Sequence, residues 1–174
     1  MQVREEQREG ILNKNKIMIC LVASFFLFVG CNETGQSAER QAPIFSLENV
    51  DGSTVHLSDY ANHVIILNFF ATWCPPCKSE IPDFVSLLNE HRNDRFIILG
   101  VAVNVRNKEE LENFISRYNI NYPVLIDDGF VSSTYGPISS IPTTFIIDRE
   151  GQISQKIIGS RSKEVFENLI EPLL

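Results

Sequence analysis

Positive charge is in short supply: 15 Lys and Arg stand against 22 Asp and Glu, a formal net charge of −7. Residues 1–30 hold four of the basic and three of the acidic side chains, leaving 11 against 19 in the remainder, a formal charge of −8. A nucleic-acid partner demands a basic face, so no nucleic acid is expected among the partners. Histidine is scarce as well, and His56, His63 and His91 are scattered. The chain has four cysteines, with one close pair and no second. A structural zinc takes four ligands, usually a further Cys or His pair at short spacing, so no metal site is expected. No apolar run reaches the roughly 20 residues that a membrane-spanning helix needs. No internal repeat and no low-complexity tract is present.

What is there is concentrated in one stretch, Phe69-Phe70-Ala71-Thr72-Trp73-Cys74-Pro75-Pro76-Cys77-Lys78-Ser79-Glu80-Ile81-Pro82. Before it, residues 64–69 are apolar but for Asn68, too short for a globular helix and rich in β-branched and aromatic types, which reads as a buried strand. After it, Ile81, Phe84, Val85 and Leu88 recur at i, i+3, i+4 and i+7, one stripe of a helix. Cys74 therefore falls near a helix N-cap and Cys77 in the first turn. A helix start carries unpaired amides and partial positive charge, which stabilise a thiolate. Cys74 is thus expected to be exposed, acidified and reactive. Pro75 suits N1, whose N–H has no intrahelical partner. Pro76 at N2 removes one of the two amides an N-cap group normally uses, leaving Cys74 the Cys77 N–H and a moderate stabilisation. Two cysteines at this spacing can close a small disulfide, with Cys74 attacking a partner and Cys77 resolving the mixed disulfide. Half a zinc site is the competing reading; the preceding strand and the adjacent Trp73 favour redox chemistry.

The rest of the chain reads as alternating strands and helices. Residues 44–47 and 54–57 are short strands around Asp51-Gly52, a hairpin signal. A helix runs from Pro75 to about residue 89 or 91, with Pro82 inside it as a kink. Residues 96–103 form a second central strand, and 108–118 a helix N-capped by Asn107, with Leu111, Phe114, Ile115 and Tyr118 as its apolar stripe. Strand, helix and strand in succession predict a parallel crossover. Residues 122–126 are a short strand, 130–135 a helical turn, and 143–147 a strand joined through 148–151 to another at 152–158. Ser162 caps a last helix whose Val165, Phe166, Leu169 and Ile170 point inward.

The stretch Trp73-Cys74-Pro75-Pro76-Cys77 resembles the active site of the thioredoxin superfamily. The wider pattern, from Asn68 to Trp73 and from Cys77-Lys78-Ser79-Glu80 to Pro82, resembles the TlpA/ResA-like branch of exported thiol-disulfide oxidoreductases, from about residue 42 to the C-terminus. The resemblance implies an α/β fold: a thioredoxin-like central sheet flanked by helices, an N-terminal β-hairpin, and one inserted helix at 108–118. It implies that Ile141-Pro142 is the cis-proline loop facing the Cys pair, although most X-Pro bonds are trans. Ile141 would then offer its backbone to an extended substrate, with Trp73, Pro75, Pro76 and Pro142 around it. Trp73 reads as a core aromatic or as a lid over the site. Spacing alone makes Glu80 a solvated helix residue; the branch carries an acid there, which points to a proton carrier for the thiols. Asn68 stands where thioredoxin has a buried Asp, which leaves Glu80 as the substitute.

The N-terminus reads separately. Residues 1–16 are polar, 17–30 are almost wholly apolar, and Gly30-Cys31 is followed by a polar tract. Fourteen apolar residues behind Lys14 and Lys16 suit a secretory signal. The Gly30-Cys31 junction resembles a bacterial lipoprotein signal, giving a signal peptide at 1–30, lipidated Cys31, a tether at 31–41 and a domain at 42–174. An uncleaved anchor is the alternative, and either places the domain outside the cytoplasm, on the periplasmic side in a Gram-negative cell. Cys20 leaves with the signal, so one redox pair and no structural disulfide remain.

The function implied is thiol-disulfide exchange by Cys74 and Cys77, with no cofactor besides the redox-active disulfide. By resemblance, it reduces disulfides of exported proteins such as apocytochrome c, with electrons from a membrane donor of the DsbD/CcdA kind. Three rivals stand beside it. A thiol peroxidase wants a Pro-x-x-x-Thr/Ser-x-x-Cys setting, and no Pro precedes Cys74 at that spacing. A copper-delivery module wants one more residue between the cysteines. A peptide-binding adaptor would need neither thiol.

Overall fold

The computed structural model of the protein describes residues 41–92 and 94–174. The expected signal peptide at 1–30, with Cys20, and the expected tether from Cys31 up to but not including Gln41 fall outside them. Strands β1 (Ser46–Glu48) and β2 (Thr54–His56) form a hairpin, followed by a single 3-10 turn, Leu57–Tyr60. Then come β3 (Val64–Phe70), helix α1 (Pro75–Glu90), β4 (Phe96–Ala102), α2 (Lys108–Arg117), β5 (Val124–Ile126), the short α3 (Phe130–Thr134), β6 (Thr143–Ile147), β7 (Ile153–Ile158) and α4 (Lys163–Ile170).

The main sheet has the order β5-β4-β3-β6-β7. β3, β4 and β5 are parallel, as the strand–helix–strand pattern requires, while β6 and β7 run antiparallel. β3 lies in the middle and is buried at all positions, which is why its sequence is apolar at every place but Asn68 rather than an alternation. Period two still sorts its side chains. Val64, Ile66 and Phe70 share one core cluster with Phe84 of α1, Phe114 of α2 and Phe166 of α4. Ile65, Leu67 and Phe69 turn to the other, with Phe45, Leu47 and Val55 of the hairpin region and Val131 and Tyr135. The three longer helices thus cover one face. The second is covered by the hairpin, the 3-10 turn and α3.

The hairpin also closes the β5 edge: Val50 N–H donates to the Val124 carbonyl, and Asn49 Oδ1 accepts from Val124 N–H. Covering an edge strand removes a template for foreign pairing.

Three local expectations are corrected. On α1 the buried apolar residues beyond the first turn are Ile81, Phe84 and Leu87, so Leu87 joins the stripe, while Val85 and Leu88 pack against the same core only partly buried. On α4, Phe166 and Ile170 are buried and Leu169 packs against the core as expected, but Val165 is 39 % exposed. Ser162 occupies the N-cap position without a side-chain bond; Asp83 of α1 accepts the Lys163 N–H at 3.0 Å instead. The cap is tertiary, and no local sequence pattern carries it.

Candidate active site

Cys74 is the N-cap of α1 and Cys77 lies in its first turn, with prolines between them at N1 and N2. The two sulfurs are joined as a disulfide across a Cα–Cα separation of 5.3 Å. The Cys77 N–H donates to Cys74 Sγ at 3.4 Å, the one amide that the two prolines leave for it. The Ile141-Pro142 peptide is cis. Register explains why this loop meets the cysteines: β6 is antiparallel to β3 and pairs Thr143 with Phe69, so its first residues arrive where β3 ends and the Cys loop begins. The Ile141 carbonyl oxygen stands 3.7 Å from Cys74 Sγ.

This closure corrects the expectation of an exposed sulfur. Cys74 is only 3 % exposed and Cys77 is buried, because the Ile141 loop and the sheet end enclose the pair. The exposed surface beside them is carried by neighbours. Trp73 is 61 % exposed, so it is a surface aromatic and not part of the core, and Pro75 and Pro76 are exposed too. Pro142 is buried and Ile141 half-buried. Grooves of about 590 and 620 Å³ flank Trp73, sharing Thr72, Asn107 and Glu110 in their walls. Thr72 Oγ1 donates to Glu110 Oε1 at 3.1 Å, which ties the Cys loop to α2.

Glu80 is not a solvated helix residue: it is 2 % exposed and faces inward with Cys77. Burial pushes its pKa up to about 7. The Asn68 amide, the Arg161 backbone and the Arg161 charge pull it down, and Asp83 pushes it up slightly. Asn68 Nδ2 donates to Glu80 Oε1 at 2.9 Å. The same nitrogen donates to Thr144 Oγ1 at 2.9 Å. Asn68 pairs with Thr144 on one side and Gly100 on the other. A Cβ at Gly100 would sit 3.1 Å from the Phe70 ring and 3.2 Å from that of Tyr122, so the missing side chain makes room for both.

The structure therefore brings Trp73, Cys74, Pro75, Pro76, Cys77, Ile141 and Pro142 to one end of the sheet, with Glu80 on the inward side of the same helix. Cys31 lies outside the described residues. Asn68 stands out in the sequence only for the Asp it replaces, and no local pattern marks Thr144. The signal for Asn68 was available: it lies two residues from both Ile66 and Phe70 in a strand, hence on the face that receives α1. Among the described residues no group of His, Cys, Asp and Glu is arranged to hold a metal ion.

A family model described as the AhpC/TSA family matches residues 38–156. Thiol-disulfide oxidoreductase ResA of Bacillus subtilis (strain 168) is 34% identical over 171 residues, which cover 95% of this chain and 92% of that protein. The thioredoxin-like protein YneN of the same organism is 34% identical over 143 residues, 80% of this chain and 82% of its own. Among solved structures, a thioredoxin-family thiol:disulfide interchange protein from Chlorobium tepidum TLS superposes with a TM-score of 0.72 at 37% identity, covering 77% of this chain and 95% of that one. StoA from Bacillus subtilis superposes with a TM-score of 0.65 at 28% identity, covering 75% and 98%.

Proposed function

This chain belongs to the AhpC/TSA family and is a thiol-disulfide oxidoreductase of the ResA type, and from that premise we propose that it acts outside the cytoplasm as a reductant of disulfides in exported proteins, apocytochrome c among them. The observation that carries the direction is the setting of Cys74. Its sulfur has one amide donor, and a carbonyl oxygen lies 3.7 Å away on the other side. A carbonyl favours a thiol over a thiolate, and a weakly stabilised thiolate keeps the reduced pair from being the favoured state.

In this reading, Cys74 attacks a sulfur of the partner disulfide. The first partner sulfur leaves and takes up a proton. Cys77 then gives up its proton, with Glu80 as the base, and its sulfur bonds to Cys74. The bond from Cys74 to the partner breaks and the second partner sulfur is protonated. The partner gains two electrons and the enzyme ends as the Cys74–Cys77 disulfide, so no bound cofactor takes part. The exposed Trp73, Pro75 and Pro76 present the surface on which the partner rests. The half-buried Ile141 offers backbone to an extended segment, a small case of strand addition. Electrons return from a membrane donor of the DsbD/CcdA kind, and lipid on Cys31 holds the domain beside it.

Cys77→Ser is expected to accumulate a covalent partner adduct that dithiothreitol releases, and the double Cys74→Ser/Cys77→Ser variant to capture none. Equal capture by both would make the protein an adaptor. A redox titration of the pair should fall near thioredoxin's value of about −270 mV; one near DsbA's, about −120 mV, would reverse the direction.

A further inference from the structure

The two oxygens of Glu80 are not equivalent. Oε1 accepts a hydrogen bond from Asn68 Nδ2, while Oε2 is buried with no partner among the described residues. An amide nitrogen carries two hydrogens, and here both are engaged, one on Glu80 and one on Thr144 Oγ1. Asn68 and Thr144 are register partners on adjacent strands, and both are buried. The plane of the amide is therefore set by the sheet and not by the helix that carries Glu80.

We infer that Asn68, held by Thr144, is a positioning residue for the exchange reaction: it fastens Glu80 through Oε1 and leaves Oε2 as the oxygen that takes the proton of Cys77. The inference rests on the proposed role of Glu80 as base, and it adds two residues that do not touch the sulfurs. When the mixed disulfide is resolved, the Cys77 S–H bond breaks and its proton passes to Oε2. The sulfur's electron pair forms the Cys77–Cys74 bond. The Cys74–partner bond breaks with its pair on the partner sulfur, which is protonated in turn. If both oxygens were free to turn, the unpartnered lone pair would sample several directions. With Oε1 tied to β3, Oε2 is held ready.

The groups that bear on Glu80 come from every side. Cys77 and Asp83 share its helix, Asn68 reaches it from β3 with Thr144 of β6 behind, Tyr122 lies before β5, and Arg161 lies before α4. Asp83 raises the proton affinity of Glu80, while Arg161 and Asn68 lower it. Of these, Asn68 is the side chain that makes a hydrogen bond to the carboxyl, while the Arg161 backbone also draws on it.

The test uses the full chain and two readouts. Reduced protein is mixed with 5,5′-dithiobis(2-nitrobenzoate), and the second release of thionitrobenzoate, which reports resolution by Cys77, is followed against pH. The midpoint of Glu80 in the oxidised protein is read by carboxyl ¹³C NMR, which needs no turnover. Asn68→Leu removes a donor that favours the ionised carboxyl, so both midpoints should rise by about one pH unit, and the second release at pH 7 should slow about five-fold. Thr144→Val should move both the same way by less, and Glu80→Gln should abolish the rising limb. If Glu80→Gln abolishes the limb while Asn68→Leu leaves both midpoints in place, positioning by Asn68 is overturned and the base survives. If the limb persists in Glu80→Gln, the base and its positioning fall together. Should Asn68→Leu fail to fold, unchanged midpoints in Thr144→Val overturn the inference.

Discussion

Glu80 is a residue whose chemistry and stability pull in opposite directions. Its ordinary pKa is 4.5, and burial lifts it to about 7 in the folded chain. The unfolded chain therefore gives up this proton first. Between pH 4.5 and 7 the folded state holds more of it, so raising the pH through that window destabilises the fold, and above 7 the loss is constant. A shift of that size corresponds to about 3 kcal/mol. Glu80→Gln keeps the shape and removes the ionisation. The oxidised variant is expected to match the parent at pH 4 and to exceed it by up to about 3 kcal/mol at pH 8, as read by urea unfolding at several pH values. A gain that is the same at every pH would mean that packing, and not charge, sets the difference. That Glu80 is buried could not be read from its spacing, because position i+3 from Cys77 fits a half-turned surface residue equally well. Its burial follows from a neighbour, Asn68, that is 12 residues away in sequence.

At the scale of elements, the Cys pair depends on where α1 begins, and α1 depends on what it packs against. Its start was legible: Cys74 is an N-cap that accepts from the Cys77 amide, and Pro75 and Pro76 stand where prolines are tolerated. Pro82 inside the helix does not end it, since burial of Ile81, Phe84 and Leu87 holds the turns on both sides. The contact between α1 and α4 was not legible. Asp83 caps α4 by accepting the Lys163 N–H, across 80 residues. Asp83→Ala is expected to lower stability by about 1 kcal/mol, within the range of lost N-caps. The measurement is urea unfolding of the two proteins at neutral pH. If the stability is unchanged, the last helix is held by Phe166 and Ile170 alone.

For the whole molecule, the layout puts chemistry at one end of the sheet, where β3 runs out and β6 begins. Gln41, the first described residue, bridges to Gln152 at the start of β7, near the other end of β6. The lipid proposed on Cys31 belongs to this scale. Cys31→Ser is expected to move the full chain from the membrane fraction to the soluble exported fraction, checked by fractionation together with the mass of the mature chain. Retention in the membrane would point to an uncleaved apolar segment instead. Multiple acyl chains would give firm attachment, because each buried methylene contributes about 0.8 kcal/mol.

The sequence by itself determined the local facts: a strand ending in Cys-Pro-Pro-Cys at a helix start, the alternation of strands and helices, and the acidic balance of the chain. These are matters of period, capping and composition, and they act within a few residues. Only the tertiary structure decided that both sulfurs are enclosed beneath the Ile141 loop, that Glu80 is inside, and that Asn68 and Thr144 hold it there. Those depend on which strands become neighbours and in what register, and a hydrogen bond across 76 residues, such as Asn68 to Thr144, leaves no periodic trace in the chain.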